Sequence, residues 1–269
     1  MTSNKKRITR TERAKKAIQG LLNAFQKGTA FRWIGCHIVK TGRPSDAWSL
    51  ANYLIMAISG TEDARGIKQW RDAGRRVKKG AKAVWILAPR NIVRKEEDED
   101  TGELKEKKFL AGFLGVPVFR YEDTEGEPLK PVKAKYPDLK KVADAWGIKV
   151  EYAPVPGGAL GLYSTGKVIK LKSDDAEVFF HELAHAAQDR LGMLENGARC
   201  EIAAEACALG LCAVYGGQTS NSMNNFGAYI QDYSKKMNMK PEMALMSVLK
   251  DCEAILDCII REAGEEMIK

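Results

Sequence analysis

No stretch of this 269-residue chain comes near eighteen consecutive apolar residues, so a membrane-spanning helix is not expected. The first residues, Met1-Thr2-Ser3-Asn4-Lys5-Lys6-Arg7, carry charge with no apolar run behind them, so no secretory signal is expected either. The cysteines (Cys36, Cys200, Cys207, Cys212, Cys252 and Cys258) include no Cys-x-x-Cys pair. Most fall in apolar helical patterns, where a thiol behaves as a small hydrophobe, which fits a reduced, cytoplasmic protein. No internal repeat is evident. Apolar content is ordinary, which argues against global disorder, and the length suits one large or two small domains. Histidine is scarce, with three in the whole chain.

Two of those three, His181 and His185, lie in the stretch Glu177-Val-Phe-Phe-His-Glu-Leu-Ala-His185 with Glu182 between them. On a helix, positions i and i+4 stand one above the other, so both imidazoles can reach one Zn²⁺. The intervening Glu182 is then placed to act on a water at the metal. Phe180, Leu183, Ala187 and Leu191 recur at helical spacing as an apolar stripe, and Gly192 follows as a C-terminal cap. A third ligand is needed. A second helical pattern beginning after Glu195-Asn196-Gly197 carries Glu201 and Glu205. His185 and Glu201 each lie on the order of 6–9 Å from that turn, at similar height in an antiparallel pair. Glu201 is therefore the expected third ligand, and Glu205 the partner of a ligand histidine's other ring nitrogen. Cys212 continues the same face but stands about 16 Å along it, too far to share the metal.

Charge is unevenly spread. Residues 1–82 hold 19 Lys+Arg against 5 Asp+Glu, and the other 187 hold 24 against 30, which together give the net +8. A basic first third on a mildly acidic remainder points to a polyanion partner for one part only. The segment Gly66–Lys82 concentrates Lys68, Arg71, Arg75, Arg76, Lys78, Lys79 and Lys82, with Trp70 and Trp85 nearby. As a set these fit a phosphate-contacting surface for single-stranded DNA without sequence readout, since no base-reading motif occurs. Each tryptophan taken singly is expected in the core.

In order, a polar arm at 1–10 leads into a helix from Thr11 with Ala17, Ile18, Leu21, Leu22 and Phe25 inward and Gly28 near its end. Thr41–Asp46 turns into a second helix with Trp48, Leu50, Leu54, Ile55 and Ile58 as core, ended by Gly60. A short helix, a stop at Gly74 and a basic turn precede a strand at 83–88, closed by Pro89. The returning strand is expected at 109–120, with the charged residues 94–108 as a solvated, disordered hairpin tip around Asp100-Thr101-Gly102. Residues 122–138, with Pro131 and Pro137, make the best linker. A helix near 138–146, strands near 148–152, 159–163 and 167–171, the metal-site helices and two further helices at 224–237 and 241–265 complete the chain.

The pattern resembles the ArdC-like antirestriction proteins of plasmids and other mobile elements, related to metallopeptidase domains of polyvalent proteins. Lys68-Gln69, Gly74, Val77, Lys79-Gly80 and the strand after them carry one half of the resemblance, with Gly115-Val116-Pro117-Val118-Phe119. The hairpin ending at Leu171, His181-Glu182-Leu183-Ala184-His185 and Glu201-Ile202-Ala203-Ala204-Glu205 carry the other. The likeness spans most of residues 41–215. After Gly42-Arg43-Pro44 the family usually has an aromatic and a glycine, where this chain has Ser45, Asp46 and Ala47. The resemblance implies an α+β protein: a single-stranded-DNA-binding domain at 1–130, using Arg43, Lys68, Gln69 and the basic residues above, and a zincin-like metallopeptidase domain at 131–269.

The expected chemistry is hydrolysis of a peptide bond in a protein substrate, with Zn²⁺ on His181, His185 and Glu201 and Glu182 as general base. Tyr163, Tyr215 and Tyr233 are the candidates for stabilising the oxyanion. Two alternatives stand beside this. One is a DNA-coating or DNA-mimicking antirestriction factor with a structural zinc; the other is a regulator-cleaving peptidase whose basic third merely places it on DNA.

Overall fold

The computed structural model describes residues 8–38, 41–97, 104–130, 139–155, 157, 159–195, 197–215 and 226–265. The first helix, α1 (Arg10–Gln26), starts one residue earlier than expected because Thr9 and Glu12 form a reciprocal capping box. Its inward face is Ile18, Leu21, Leu22 and Phe25, as the periodicity indicates, with Ala14 also buried. A short helix with no clear sequence signal follows, α2 (Phe31–Cys36). After a 3-10 turn at Pro44–Ala47, where Asp46 accepts the Gly42 N–H at 2.6 Å and the Thr41 hydroxyl at 2.9 Å, comes α3 (Leu50–Ile58).

The short strand β1 (Ala64–Arg65), the helix α4 (Ile67–Asp72) and the strand β2 (Arg75–Val77) come next. Two long strands then form an antiparallel arm, β3 (Val84–Glu97) and β4 (Leu104–Arg120), in a sheet of order β1-β4-β3. The arm corrects the sequence expectation, because pairing runs through 94–97 and 104–108. Residues 98–103, including Asp100-Thr101-Gly102, lie outside the described residues. Pro89 sits inside β3 and does not close it. Lacking an N–H, proline needs an unpaired side, which β3 has as an edge strand. Pro117 is tolerated in the central β4 because β1 pairs only with Phe119 and Arg120.

The expected linker is also corrected at its start. Residues Thr124–Gly126 form β5, which pairs with β2 in register from Arg75↔Gly126 to Val77↔Thr124. Residues 131–138, beside the expected boundary, lie outside the described residues. Beyond them α5 (Leu139–Ala145) leads to β6 (Lys149–Tyr152), β7 (Gly161–Ser164) and β8 (Val168–Leu171). These make a second three-stranded sheet, order β6-β8-β7, with β6 parallel and β7 antiparallel to β8. Four longer helices complete the described chain: α6 (Ala176–Arg190), α7 (Ala198–Tyr215), α8 (Phe226–Lys236) and α9 (Pro241–Glu265).

One apolar core joins residues from Ala14 to Ile259. Phe25, Phe31 and Phe226 meet with ring centroids 5.0–5.2 Å apart. α2 crosses α7 where Gly35 meets Gly210, and a Cβ on Gly35 would lie 2.0 Å from the Gly210 carbonyl oxygen. The Leu50 amide donates to Glu253 on α9 at 3.0 Å. The six cysteines are free thiols, and no described helix is long and apolar enough to cross a membrane.

Candidate metal centre

Helix α6 is capped by Asp175, whose carboxylate accepts the Glu177 N–H at 3.0 Å. It packs on α7, and both helices carry small buried residues, Ala184 and Ala187 on the one and Ala203 and Ala204 on the other. Small side chains let the two axes approach, and they bring Glu201 level with the two histidines. The expected stripe holds at Phe180, Leu183 and Ala187, but Leu191 is exposed: the helix ends at Arg190, and Gly192 then takes a φ of 66°.

His181 Nε2 lies 3.0 Å from His185 Nε2 and 3.5 Å from Glu201 Oε2, and His185 Nε2 lies 3.6 Å from the same oxygen. Among the described residues these three form the group able to hold a metal ion. Ligands at ~2.0–2.1 Å in a tetrahedral site stand about 3.3 Å from one another, so the donor set fits Zn²⁺ in both type and spacing. The other ring nitrogens are also held. His181 Nδ1 lies 3.2 Å from Glu205 Oε2, as expected for Glu205. His185 Nδ1 lies 2.8 Å from the oxygen of Gln188, whose amide donates to the Cys200 carbonyl at 2.9 Å. Each acceptor holds a proton on Nδ1 and leaves Nε2 to face the site.

Charge reinforces this picture. Burial disfavours the protonated His181, yet Glu201 and Glu205 more than offset that and push its pKa up to about 10. The same contacts with His181 and His185 hold the Glu201 carboxyl well below the usual carboxylate range. A site that draws a proton this strongly is one where positive charge is favoured. Glu182 is buried, and burial raises its pKa against the lowering pull of the two histidines and the Tyr163 amide.

Glu182 is held by β7. Besides the Tyr163 amide, Gly161 abuts it so closely that a Cβ there would lie 2.6 Å from Glu182 Oε1. Leu160 to Tyr163 form one wall of a cleft of about 570 Å³, with His181, Glu182, His185 and Glu201 opening onto it. Glu201 is 65 % exposed, so the ligand triad faces solvent on that side.

Of the three oxyanion candidates only Tyr163 lines the cleft, and its hydroxyl donates to Asp189 at 2.7 Å. Burial and that bond push its pKa up to about 12. Tyr215 instead packs on Phe180, with ring centroids 5.8 Å apart, and Tyr233 is buried.

The basic set divides. Arg75 is corrected from a DNA contact to a buried structural cation: it donates to the Thr124 hydroxyl at 2.8 Å, to the carbonyls of Gly126 and Glu127, and stacks on Tyr121. A basic residue in the sequence carries no sign that backbone carbonyls will consume its donors. Arg76 is exposed but paired with Glu125 at 2.6 Å, and Lys78 donates to the Glu122 carbonyl at 3.0 Å. Lys68, Gln69, Arg71, Lys79 and Lys82 are exposed, with Gln69 accepting the Gly66 N–H at 2.9 Å. Arg43 lines a separate cavity of about 710 Å³ and donates to the Glu62 carbonyl at 2.9 Å. Trp70 is sealed in the core, its indole N–H on the Phe119 carbonyl at 2.8 Å, and Trp85 lies half-buried under Arg13.

Gln188, Gly161 and the Tyr163 amide touch the candidate site without having been expected from the sequence. The only signal for Gln188 is its place three residues after His185, on the same helix face.

No protein-family model matches the chain, and no curated protein matches it in sequence. Solved structures do match. The metal-free crystal structure of the antirestriction protein ArdC from plasmid R388 aligns over 94 % of this chain and 98 % of that one, with TM-score 0.63 and 20 % identity. Its Mn(II)-bound structure aligns over 93 % and 98 %, with TM-score 0.60 and 18 % identity. At these identities the likeness is one of fold.

Proposed function

We propose that this chain, which has the fold of ArdC, is a zinc-dependent hydrolase of peptide bonds whose basic part holds single-stranded DNA, serving antirestriction on a mobile element. The observation that carries this reading is the convergence of His181, His185 and Glu201 on one point with the buried carboxylate of Glu182 beside it. A structural zinc site is closed by four protein ligands, whereas here, among the described residues, three converge and the cleft opens beside them. That favours a catalytic over a structural role. The metal seen in the R388 protein is Mn(II); the two imidazoles and one carboxylate here suit zinc.

When bound, the cation supplies Lewis acidity to a water and to the scissile carbonyl. The chain's own groups do the rest. Glu182, kept in place by Gly161 and the Tyr163 amide, takes the proton from the attacking water and passes it to the leaving amine. Its raised pKa suits a group that must both accept and return a proton. Glu205 and Gln188 fix the ring orientation of the two histidines. The cleft wall along β7 gives an extended peptide a place to lie.

The test is Glu182→Gln, which keeps the ligands and removes the base. Zinc-loaded wild type and variant would be compared on a quenched-fluorescence peptide library. The expected result is equal metal content and a rate lower by about 10²–10⁴ in the variant. Equal hydrolysis by both proteins would remove Glu182 from the mechanism. Zinc-loaded wild type that cleaves nothing while protecting DNA would favour the structural-zinc alternative.

A further inference from the structure

The helix α1, the base of the β3–β4 arm and the start of α9 enclose a groove of about 680 Å³. Four cations line it: Lys15 and Lys16 from α1, Arg90 from β3 and Lys240 just ahead of α9. None of them is in an ion pair among the described residues, and Glu242 is the one acid on the lining. Phe113 and the exposed Met243 supply apolar surface between them.

The groove sits at an irregularity of the arm. Pairing shifts between Pro89 and Asn91, so that Ala111 and Gly112 of β4 face Arg90 alone. Gly112 takes a φ of 127°, open to glycine, and a Cβ there would meet nothing within 4 Å. The glycine therefore serves the bulge rather than space. Bulges bend a strand and re-aim side chains, and they are enriched beside functional sites.

Further out on the arm, Arg94 and Lys107 stand directly opposite each other across the two strands. Both approach the ring of Phe109, at 5.7 and 5.8 Å, giving an aromatic face flanked by cations. Arg90 and Arg94 are about 13 Å apart along the strand, short enough for a few nucleotides to touch both. The segment at 68–82 offers less, since Arg75 is buried, Arg76 is paired and Trp70 is sealed.

We infer that a single-stranded polynucleotide lies in this groove, its phosphates on Lys15, Lys16, Arg90 and Lys240 and a base against Phe113 and Met243, and continues onto Phe109. The inference rests on the reading that the protein binds single-stranded DNA, and it says where. Cations beside aromatic faces are what such strands require, and both halves of the chain contribute them to the groove.

The experiment measures binding of a labelled oligothymidylate to the full chain by fluorescence anisotropy across a salt series. A groove variant, Lys15→Gln/Lys16→Gln/Arg90→Gln/Lys240→Gln, is compared with a control that loses as many charges, Lys68→Gln/Arg71→Gln/Lys79→Gln/Lys82→Gln. Thermal unfolding checks that both fold. The groove variant is expected to bind at least about tenfold more weakly, and its salt slope to fall by about 0.7 for each contact removed. The control, whose four cations lie outside the groove, should lose less affinity than the groove variant. Phe109→Ala should weaken binding without changing the slope, since stacking releases no counterions. A control variant that loses affinity while the groove variant keeps it would overturn the inference and leave the DNA-binding reading standing. Failure of wild type to bind would sink both. Displacement by polyglutamate as effective as by oligonucleotide would reassign the groove to acidic peptides and overturn the inference.

Discussion

Gln188 is 1 % exposed and joins the two helices that carry the proposed ligands: it accepts from His185 Nδ1 at 2.8 Å and donates to the Cys200 carbonyl at 2.9 Å. Replacing it by leucine keeps the volume and removes both bonds. The buried His185 Nδ1 is then left without a partner, which costs about 1–3 kcal/mol, while the Cys200 carbonyl keeps its helical bond within α7. The effect on metal binding is separate. His185 loses the acceptor that fixes its tautomer, which in comparable sites weakens the metal about 10–100-fold, or about 1.4–2.7 kcal/mol. Gln188→Glu restores an acceptor at Nδ1 while losing the amide that reaches Cys200. It should therefore recover zinc affinity but not thermal stability. Zinc affinity is read by competition with a chromophoric chelator at neutral pH, and stability by thermal unfolding of the metal-free protein. Gln188→Leu with wild-type zinc affinity would refute the reasoning, whatever its stability. Equal losses in the leucine and glutamate variants would show that a packing defect, not the hydrogen bond, is felt at the metal.

Three further outcomes follow from the geometry. Gly161→Ala places a methyl 2.6 Å from Glu182 Oε1 and 2.5 Å from Val178 Cγ1, so hydrolysis should fall more than tenfold while zinc content, read by elemental analysis, holds. Gly35→Ala drives a methyl to 2.0 Å from the Gly210 carbonyl oxygen, backbone that cannot swing aside; a loss of about 3 kcal/mol is expected in denaturant unfolding. Metal binding should also release a proton. The His181 pKa is raised from 6.5 to about 10, so its proton stabilises the metal-free fold fully below the lower value, and this stabilisation is lost as pH rises through the upper one. Zinc must displace that proton, so its affinity should climb about tenfold per pH unit through this window. Calorimetry in buffers of different ionisation enthalpy checks it, and a heat independent of buffer would count against it.

Legibility in the sequence tracked burial and spacing. Helices α6 and α7 could be read because His181 and His185, and Glu201 and Glu205, each stand four residues apart, and Gly192 closes α6 where a positive φ is needed; α7 itself is buried nearly all round and shows no apolar stripe. The arm beyond Pro89 could not. Arg94, Lys95, Lys107 and Lys108 are exposed, so no apolar alternation marks the strands, and only pairing defines them. Arg75 misled for a related reason: its donors are consumed by Thr124, Gly126 and Glu127, about fifty residues away in sequence. Short α2 was silent because its role depends on one glycine meeting another on α7. Gln188 went unseen because a polar residue on a helix face is ordinary until its partners are known.

The three-ligand metal centre stands or falls on elemental analysis of purified wild type and Glu201→Ala. One zinc per chain in wild type, largely lost in the variant, is the expected result. No zinc in wild type after reconstitution, or zinc fully kept by Glu201→Ala, would contradict it.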